Sequence, residues 1–492
     1  MTERIRNKNL QKKVVSPEKA AEIVKDGMTI AGSGGRLFFD ALAERGKRGE
    51  VKDINFWSQA PIFMGFDSAL LEAGILKRRL GSVGNPNIRK AINSGLVANN
   101  DMRPEIWPQM IRSGALGKLD IAVVDAMAIT EDGHIVPTLG VADGATYAEL
   151  ADMVVVHLNT SLPPELEGIH DVYTLKLPPY QREVPLYNVS DRIGTPYIPA
   201  GEDRIVCIIE SSTAEMRRPN PPQIDEDSKR LAQHLVNFFE KEVVAGRMPK
   251  NLRPFEIGLG ATADAIMKLL GESQFEDLEV YTAVLSDGVF EAIESGKCRF
   301  ATGTGMGLSE ENWKKFSSDI EKYKKKIVLR GVEVTNNWEV LRRLGVIALN
   351  GILEADIYGN INSSHIMGTN LQNGVGGTEV FAAPSPLSVF LTMSTGREGT
   401  ISSIVPMTPH VDISEHLVDV IVTEQGLADL RGLSPVERAE KIIGNCAHPD
   451  YRPLLFDYLE RAKKEGGHEP HILEEALSFH LRFKKTKTMK IS

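Results

Sequence analysis

Ile121-Ala-Val-Val-Asp-Ala-Met-Ala-Ile-Thr-Glu-Asp-Gly133 begins as a buried strand and ends in a polar turn. Asp120 gives the run a polar start, and the unbroken Ile, Ala, Val, Val that follow suit a parallel sheet covered on both faces. The same shape returns at Ile347-Ala-Leu-Asn-Gly-Ile-Leu-Glu-Ala-Asp-Ile-Tyr-Gly359. A second, looser echo links Ala151-Asp-Met-Val-Val-Val156 to Val418-Asp-Val-Ile-Val422. Either two copies of one α/β unit or the common look of buried strands followed by Asp/Gly turns explains both echoes; with two copies, a cleft associated with such units is a common ligand site.

Working outward, helices and strands alternate throughout. Ser16-Pro17-Glu18 carries a capping serine and a proline at the first helical position, so a helix is expected to run from there to Gly27. Strands are expected at Met28–Ala31, Asp152–His157, Arg204–Ile209, Ile327–Leu329, Val346–Leu349, Ser403–Val405 and Val418–Val422. Asp227–Val244 is strongly amphipathic, with Leu231, Leu235, Phe238 and Phe239 on one stripe and Gly246 past its end. Ser434-Pro-Val-Glu437 is a capping box opening a helix through Ile443. The proline-rich stretch 216–225 reads as a linker, which predicts an N-terminal α/β domain over 1–220 and a C-terminal one over 225–492.

Composition narrows the function. The chain has 492 residues, ample for two cores, with 42% hydrophobic and 25% charged residues. Lys+Arg 57 against Asp+Glu 66 gives a net charge of −9, which argues against a broad nucleic-acid or anionic-membrane surface. The charged N-terminus and the lack of long apolar runs lead us to expect a cytoplasmic protein without membrane contact. Cys207, Cys298 and Cys446 are odd in number and far apart, which fits neither a disulfide framework nor a structural zinc site. His365, His410, His416 and His448 do not stand at metal-ligand spacing, so no metal is expected.

Four glycine clusters could bring backbone N–H groups close to a ligand oxygen: Gly32-Ser-Gly-Gly35, Gly258-Leu-Gly260, Gly303-Thr-Gly-Met-Gly307 and Gly374-Val-Gly-Gly377. None forms GxxxxGK[ST] or a full GxGxxG after a strand, and there is no GxSxG elbow. Each cluster alone is better explained by turns.

Five segments of the C-terminal half give a resemblance: Ala348 to Ser363, Asn373-Gly-Val-Gly-Gly377, Ile404-Val-Pro-Met-Thr-Pro-His-Val-Asp412, Val422 to Pro435, and Cys446-Ala-His-Pro-Asp-Tyr-Arg452. Ile129 to Pro137 and Glu167-Gly-Ile-His-Asp171 extend it thinly through the N-terminal half. Together they resemble the acetyl-CoA hydrolase/transferase family, the single-chain class I coenzyme A transferases. The resemblance implies two related open α/β domains with the active site in the interdomain cleft. It implies acyl-CoA and a carboxylic acid as substrates, no permanently bound cofactor, and a homodimer or larger homo-oligomer.

It also implies a ping-pong mechanism through a glutamate in a YSEVxxDG-type motif. That stretch here is Tyr281-Thr-Ala-Val-Leu-Ser-Asp-Gly288, which puts Ala283 at the nucleophile's place. Alanine cannot form the acyl-enzyme. The family's GVGN loop reads Gly258-Leu259-Gly260-Ala261, followed by Thr262, and its GGSGDF reads Gly376-Gly377-Thr-Glu379-Val-Phe381. An acyl-side loop of small residues reads Trp57-Ser58-Gln-Ala-Pro61. These several departures point to a natural paralogue with a reshaped acyl side rather than to one engineered replacement.

The resemblance assigns further roles residue by residue. Gly258, Leu259, Gly260, Ala261, Thr262, Leu353 and Gly376 fall where CoA binds, and Arg397 replaces a lysine near the CoA phosphates. Gly377 would offer its N–H to the thioester oxygen, and Asn336 matches an asparagine beside the nucleophile. Glu424 matches an orienting glutamate. Arg217 and Ser58 fall on the substrate side. Glu379 is the carboxylate expected to replace the lost one, with Asp287 as an alternative general base. Trp57, Phe63 and Phe66 suggest a bulkier acyl pocket, and core packing explains them equally well. CoA transfer is the leading expectation. Hydrolysis, decarboxylation or isomerisation of a CoA ester, and CoA binding without turnover are the alternatives.

Overall fold

The computed structural model describes residues 2–59, 65–212 and 223–491. The chain clusters into two compact units. The first comprises Met1–Asn220, Tyr281–Asp287 and Phe300–Val340; the second comprises Pro221–Val280, Gly288–Arg299 and Leu341–Ser492. Two stretches of the expected C-terminal domain thus group with the first unit. The reason is a hydrogen-bond mesh: Thr304 O accepts from Val141 N (2.8 Å), Ala142 O from Val332 N (3.0 Å), and Val189 O from Thr302 Oγ1 (2.8 Å). The 216–225 linker lies mostly outside the described residues.

In the first unit the main sheet runs in the order Ala98–Asn100, Leu76–Leu80, Ile54–Trp57, Thr29–Gly32, Ile121–Ile129, Met153–Asn159, Ile205–Ser211. All are parallel; Ile135–Pro137 joins Ile121–Ile129 antiparallel. Ile121–Ile129 is longer than expected, and every residue except Asp125 is buried, as a central strand covered on both faces requires. The strand order reverses next to Thr29–Gly32, between it and Ile121–Ile129. Crevices at such reversals, beyond the carboxyl ends of the strands, are where open α/β sheets bind ligands.

The second unit repeats this plan. Its first strand, Phe255–Ile257, pairs in parallel with Leu278–Tyr281 through Phe255 and Val280, and on its other side with Ile347–Gly351. Ser388–Leu391 and Val420–Thr423 follow in parallel, and Gly426–Asp429 closes the edge antiparallel. Ile121–Ile129 and Ile347–Gly351 therefore hold equivalent places, and the first sequence echo reflects topology. The second echo does not. Met153–Asn159 neighbours Ile121–Ile129 directly, whereas Ser388–Leu391 separates Val420–Thr423 from Ile347–Gly351.

Local signals mostly hold. Asp225 Oδ1 accepts from Ser228 N at 2.7 Å to start the helix Glu226–Val244, and the Ser434/Glu437 capping box starts Pro435–Cys446. The helix after Ser16 covers only Pro17–Ala21. Arg45 donates to the carbonyls of Ala21, the last helical residue, and of Val24 in the turn that follows. All three cysteines are buried and free; burial pushes the Cys207 thiol up to about 11 and Cys446 up to about 12. Among the described residues no helix is long and apolar enough to cross a membrane.

Candidate active site

In the second unit, Phe255–Ile257 runs into Gly258-Leu259-Gly260 and then the helix Ala261–Glu272. Gly260 caps that helix at φ +126° with no side-chain cap, so its first amides carry no capping side chain. A Cβ added at Gly258 or Gly260 would meet nothing within 4 Å. Leu349 pairs with Ile257, which sets Asn350 at the level of Gly258. Asn350 is 6% exposed, and its buried Nδ2 has no hydrogen-bond partner. Beneath the loop, Glu256 accepts from Leu349 N (3.2 Å), and burial pushes its carboxyl up to about 8. At neutral pH it is therefore largely uncharged and does not repel an anion. Open space, a helix N-terminus and a spare amide donor together form a site for phosphate or carbonyl oxygens. Asn350 was passed over in the sequence because nothing in Ala-Leu-Asn-Gly shows that its side chain lacks a partner.

The other expected residues of this unit fall into two groups. Gly376 has φ +53°, and a Cβ on Gly377 would approach the Phe381 ring at 3.1 Å. Glu379 is half-buried in the first turn of the helix Thr378–Ala382. Leu353, half-buried, donates its N–H to Asn362 O at 3.0 Å. Glu424 is buried and accepts from Ser394 N (2.7 Å), from Ser394 Oγ and from Gln425 Nε2 (3.0 Å). Burial acts to raise its pKa, but these hydrogen bonds outweigh it and hold the carboxyl below its usual range. Ser394 precedes the hairpin Thr395–Gly396/Ile401–Ser402, whose exposed tip carries Arg397 at φ +48°. Glu424 thus anchors the base of the turn that presents Arg397, whose guanidinium lies over the Phe483 ring at 5.6 Å.

In the first unit, Ala283 is half-buried, and its carbonyl accepts from Thr304 N (2.7 Å) and Thr304 Oγ1 (2.6 Å). Asn336 is 2% exposed and ends the turn Val332–Thr335; its Oδ1 accepts from Thr335 Oγ1 at 2.8 Å. The mesh that joins Ala283 to Thr304, and Thr304 to Val141 and Ala142, leads to a residue the sequence reading missed. Asp143 is buried, and its Oδ1 has no partner. Burial, reinforced by the Glu333 charge, pushes its pKa up to about 7. Ala142, immediately before it, holds φ +43°. Glu333 itself is committed to Arg112 (2.6 Å), Thr146 (3.1 Å) and Leu175 N (2.6 Å).

Several expected roles change here. Asp287 Oδ1 accepts from Ser309 N, Ser309 Oγ and Asn312 Nδ2 at 2.8–2.9 Å, so it secures the start of the helix Glu310–Ser318. Ser58 is 1% exposed and donates to Gly32 O at 2.8 Å, which commits its hydroxyl proton to bracing the first glycine segment. Trp57 packs against Trp107 with ring centroids 6.0 Å apart, and Phe66 stacks on Phe39 at 5.5 Å; both are core. Arg217, Phe63 and Pro61 lie outside the described residues. Glu167-Gly-Ile-His-Asp171 is structural: Glu167 pairs with Arg6 (2.7 Å), His170 bonds Thr138 O (2.7 Å) and Asp171 pairs with Arg330.

Comparison with known proteins identifies the family of the chain. Residues 1–210 match the model of the acetyl-CoA hydrolase/transferase N-terminal domain, and residues 313–459 match that of the C-terminal domain. The chain is 43% identical to the succinyl-CoA:acetate CoA-transferase of Clostridium kluyveri over 99% of this chain and 92% of that protein. It is 39% identical to an acetyl-CoA hydrolase of Schizosaccharomyces pombe over 100% and 99% of the two chains. The fold resembles RipA from Yersinia pestis, with a TM-score of 0.70 at 21% identity over 93% and 98% of the chains. The chain belongs to the acetyl-CoA hydrolase/transferase family.

Proposed function

We propose that the protein acts on acyl-CoA thioesters and moves CoA between an acyl-CoA and a carboxylic acid. The observation that carries this reading is the open Gly258-Leu259-Gly260 segment with the unpartnered Asn350 amide, found in a chain similar end to end to a named CoA-transferase. Gly258 to Thr262, Leu353 and Gly376 take the CoA side, with Arg397 meeting its phosphates. Gly377 N–H donates to the thioester oxygen as negative charge develops there; one such donor is typically worth about 2.7–4 kcal/mol of barrier. Glu424 is a positioning residue for Arg397. Arg217 meets the acceptor carboxylate.

Transfer needs a carboxylate to take the acyl group, and Ala283 supplies none. Glu379 fills that role in this reading. The test is incubation with acyl-CoA, borohydride trapping and mass mapping. A glutamyl-CoA adduct at Glu379, together with CoA exchange that requires an acceptor acid, supports transfer. Loss of the thioester with no acceptor and no adduct removes it.

Asp143 favours a second reading, hydrolysis. As a carboxylate it takes a proton from water, the water oxygen adds to the thioester carbonyl, and the departing CoA thiolate recovers a proton. The products are the carboxylic acid and CoA. A base with a pKa of about 7 predicts a rate that rises with pH through neutrality. Asp143→Asn should then lower hydrolysis by roughly 10²-fold or more and remove that pH limb. An unchanged profile excludes Asp143 as the base.

A further inference from the structure

His365 lies 45 positions before His410 and 47 before Asp412, yet the fold of the second unit gathers the three. One potential ligand atom from each lies within 4.8 Å of the others, the only such trio of His, Cys, Asp or Glu among the described residues. His365 opens the short hairpin His365–Ile366/Asn370–Leu371. His410 and Asp412 lie on the loop ahead of Ile413, which bridges to Ile361. The two imidazole rings are 3.9 Å apart between centroids, and His410 Nε2 is 3.1 Å from Asp412 Oδ1.

We propose that these three side chains form a binding site for a zinc-like divalent cation. A tetrahedral ion ~2.0–2.2 Å from each ligand atom holds those atoms roughly 3.3 Å apart. The His410–Asp412 pair is close to that spacing at 3.1 Å, and the third ligand, within 4.8 Å of the others, needs to move in by up to about 1.5 Å. Two imidazoles and one carboxylate suit a first-row divalent ion and leave a further position for water.

The groups behind the trio are also arranged as a metal site requires. Asp412 Oδ2 accepts from Ser363 N (2.7 Å) and Ser364 N (2.9 Å), which fixes the carboxylate before any ion arrives. Ser364 Oγ is 2.7 Å from His365 Nδ1 and 2.8 Å from Asp412 Oδ1, so one hydroxyl orients two of the three ligands. All three residues are half-buried, leaving a path for the ion. Sequence spacing concealed the site because His365 reaches the other two only through the hairpin fold. The carbonyl of Ser364 also accepts from Gln372 N at 2.8 Å, so an ion here braces the stem that leads to Gly374–Gly377.

The test uses the full chain, stripped with a chelator and titrated with Zn²⁺ by calorimetry and with Co²⁺ by visible absorption. We expect one ion per chain, Co²⁺ bands of a low-coordinate N/O site, and a melting temperature that rises with Zn²⁺ concentration. His365→Ala and His410→Ala should each weaken binding by more than about 100-fold while the circular dichroism spectrum is retained. His416→Ala, at an exposed histidine outside the trio, should bind as the parent does. Failure of the parent chain to bind Zn²⁺ or Co²⁺ overturns the proposal, as does equal binding by the parent and His365→Ala. Both readouts are taken without CoA, so neither outcome depends on the proposed acyl-CoA activity.

Discussion

Gly32-Ser33-Gly34-Gly35 and Gly258-Leu259-Gly260 occupy the same place in their respective units. Each follows the first strand, adjoins the reversal of strand order and precedes a 12-residue helix. The first is filled from within. Asp125 Oδ1 accepts from Gly35 N at 2.8 Å, and a Cβ on Gly34 would fall 1.8 Å from Asp125 Cγ. His157 Nδ1 holds the same carboxylate oxygen at 2.8 Å. The protein's own anion thus takes the place a ligand would use. The second segment keeps its space, its helix N-terminus has no capping side chain, and the nearby Asn350 amide is unpartnered. A glycine loop at a sheet reversal is a site only when its neighbours leave it empty.

Alanine at each segment gives the widest separation. Gly34→Ala forces Asp125 out of place and should cost about 3 kcal/mol of stability or more. Gly258→Ala has room and no positive φ, so its unfolding midpoint should be unchanged while CoA affinity falls. Denaturant unfolding and CoA titration of both variants check this; equal stability would break the comparison.

Removing the polar groups comes next. Asp125→Ala should destabilise by roughly 1–3 kcal/mol, because Gly35 N and His157 lose their buried acceptor, with CoA binding little changed. Asn350→Ala should act in reverse. It removes a buried amide that lacks a partner, so stability holds or rises, while the CoA dissociation constant rises by roughly 3- to 10-fold. Tighter CoA binding in Asn350→Ala would remove this amide from the site.

A separate effect concerns pH. Glu256 has a folded pKa of about 8 against the ordinary carboxyl value of 4.5, so the folded chain holds a proton that the unfolded chain releases. This group's contribution is full below about pH 4.5 and is lost as pH rises toward 8. Glu256→Gln should flatten that decline in a melting-temperature series from pH 5 to 8. An equally steep decline in the variant would show that Glu256 is already ionised under its loop.

The sequence made legible whatever depends on neighbours in the chain. Ser434 and Glu437 announce their helix within four residues, and the apolar run at Ile121 announces a central strand. The equivalence of Ile121–Ile129 and Ile347–Gly351 was also visible, because two-sided burial leaves a similar imprint on both. The state of a glycine segment was not. Asp125 lies 90 positions beyond Gly35, and Asn350 is about as far from Gly258, so neither spacing shows which loop is filled. Ser58 and Asp287 looked available because sequence gives a residue's chemistry but not the hydrogen bonds it has already made. Asp143 escaped notice for the converse reason: its solitary carboxyl is a property of the packed interior.

The three cysteines have a practical consequence. Their sulfurs are enclosed, and two of them release a proton only in strongly alkaline solution. An aromatic disulfide reagent added to the native protein should therefore develop hardly any colour from the polypeptide, so thiol freed by hydrolysis shows against a quiet background while CoA transfer, which frees none, stays silent.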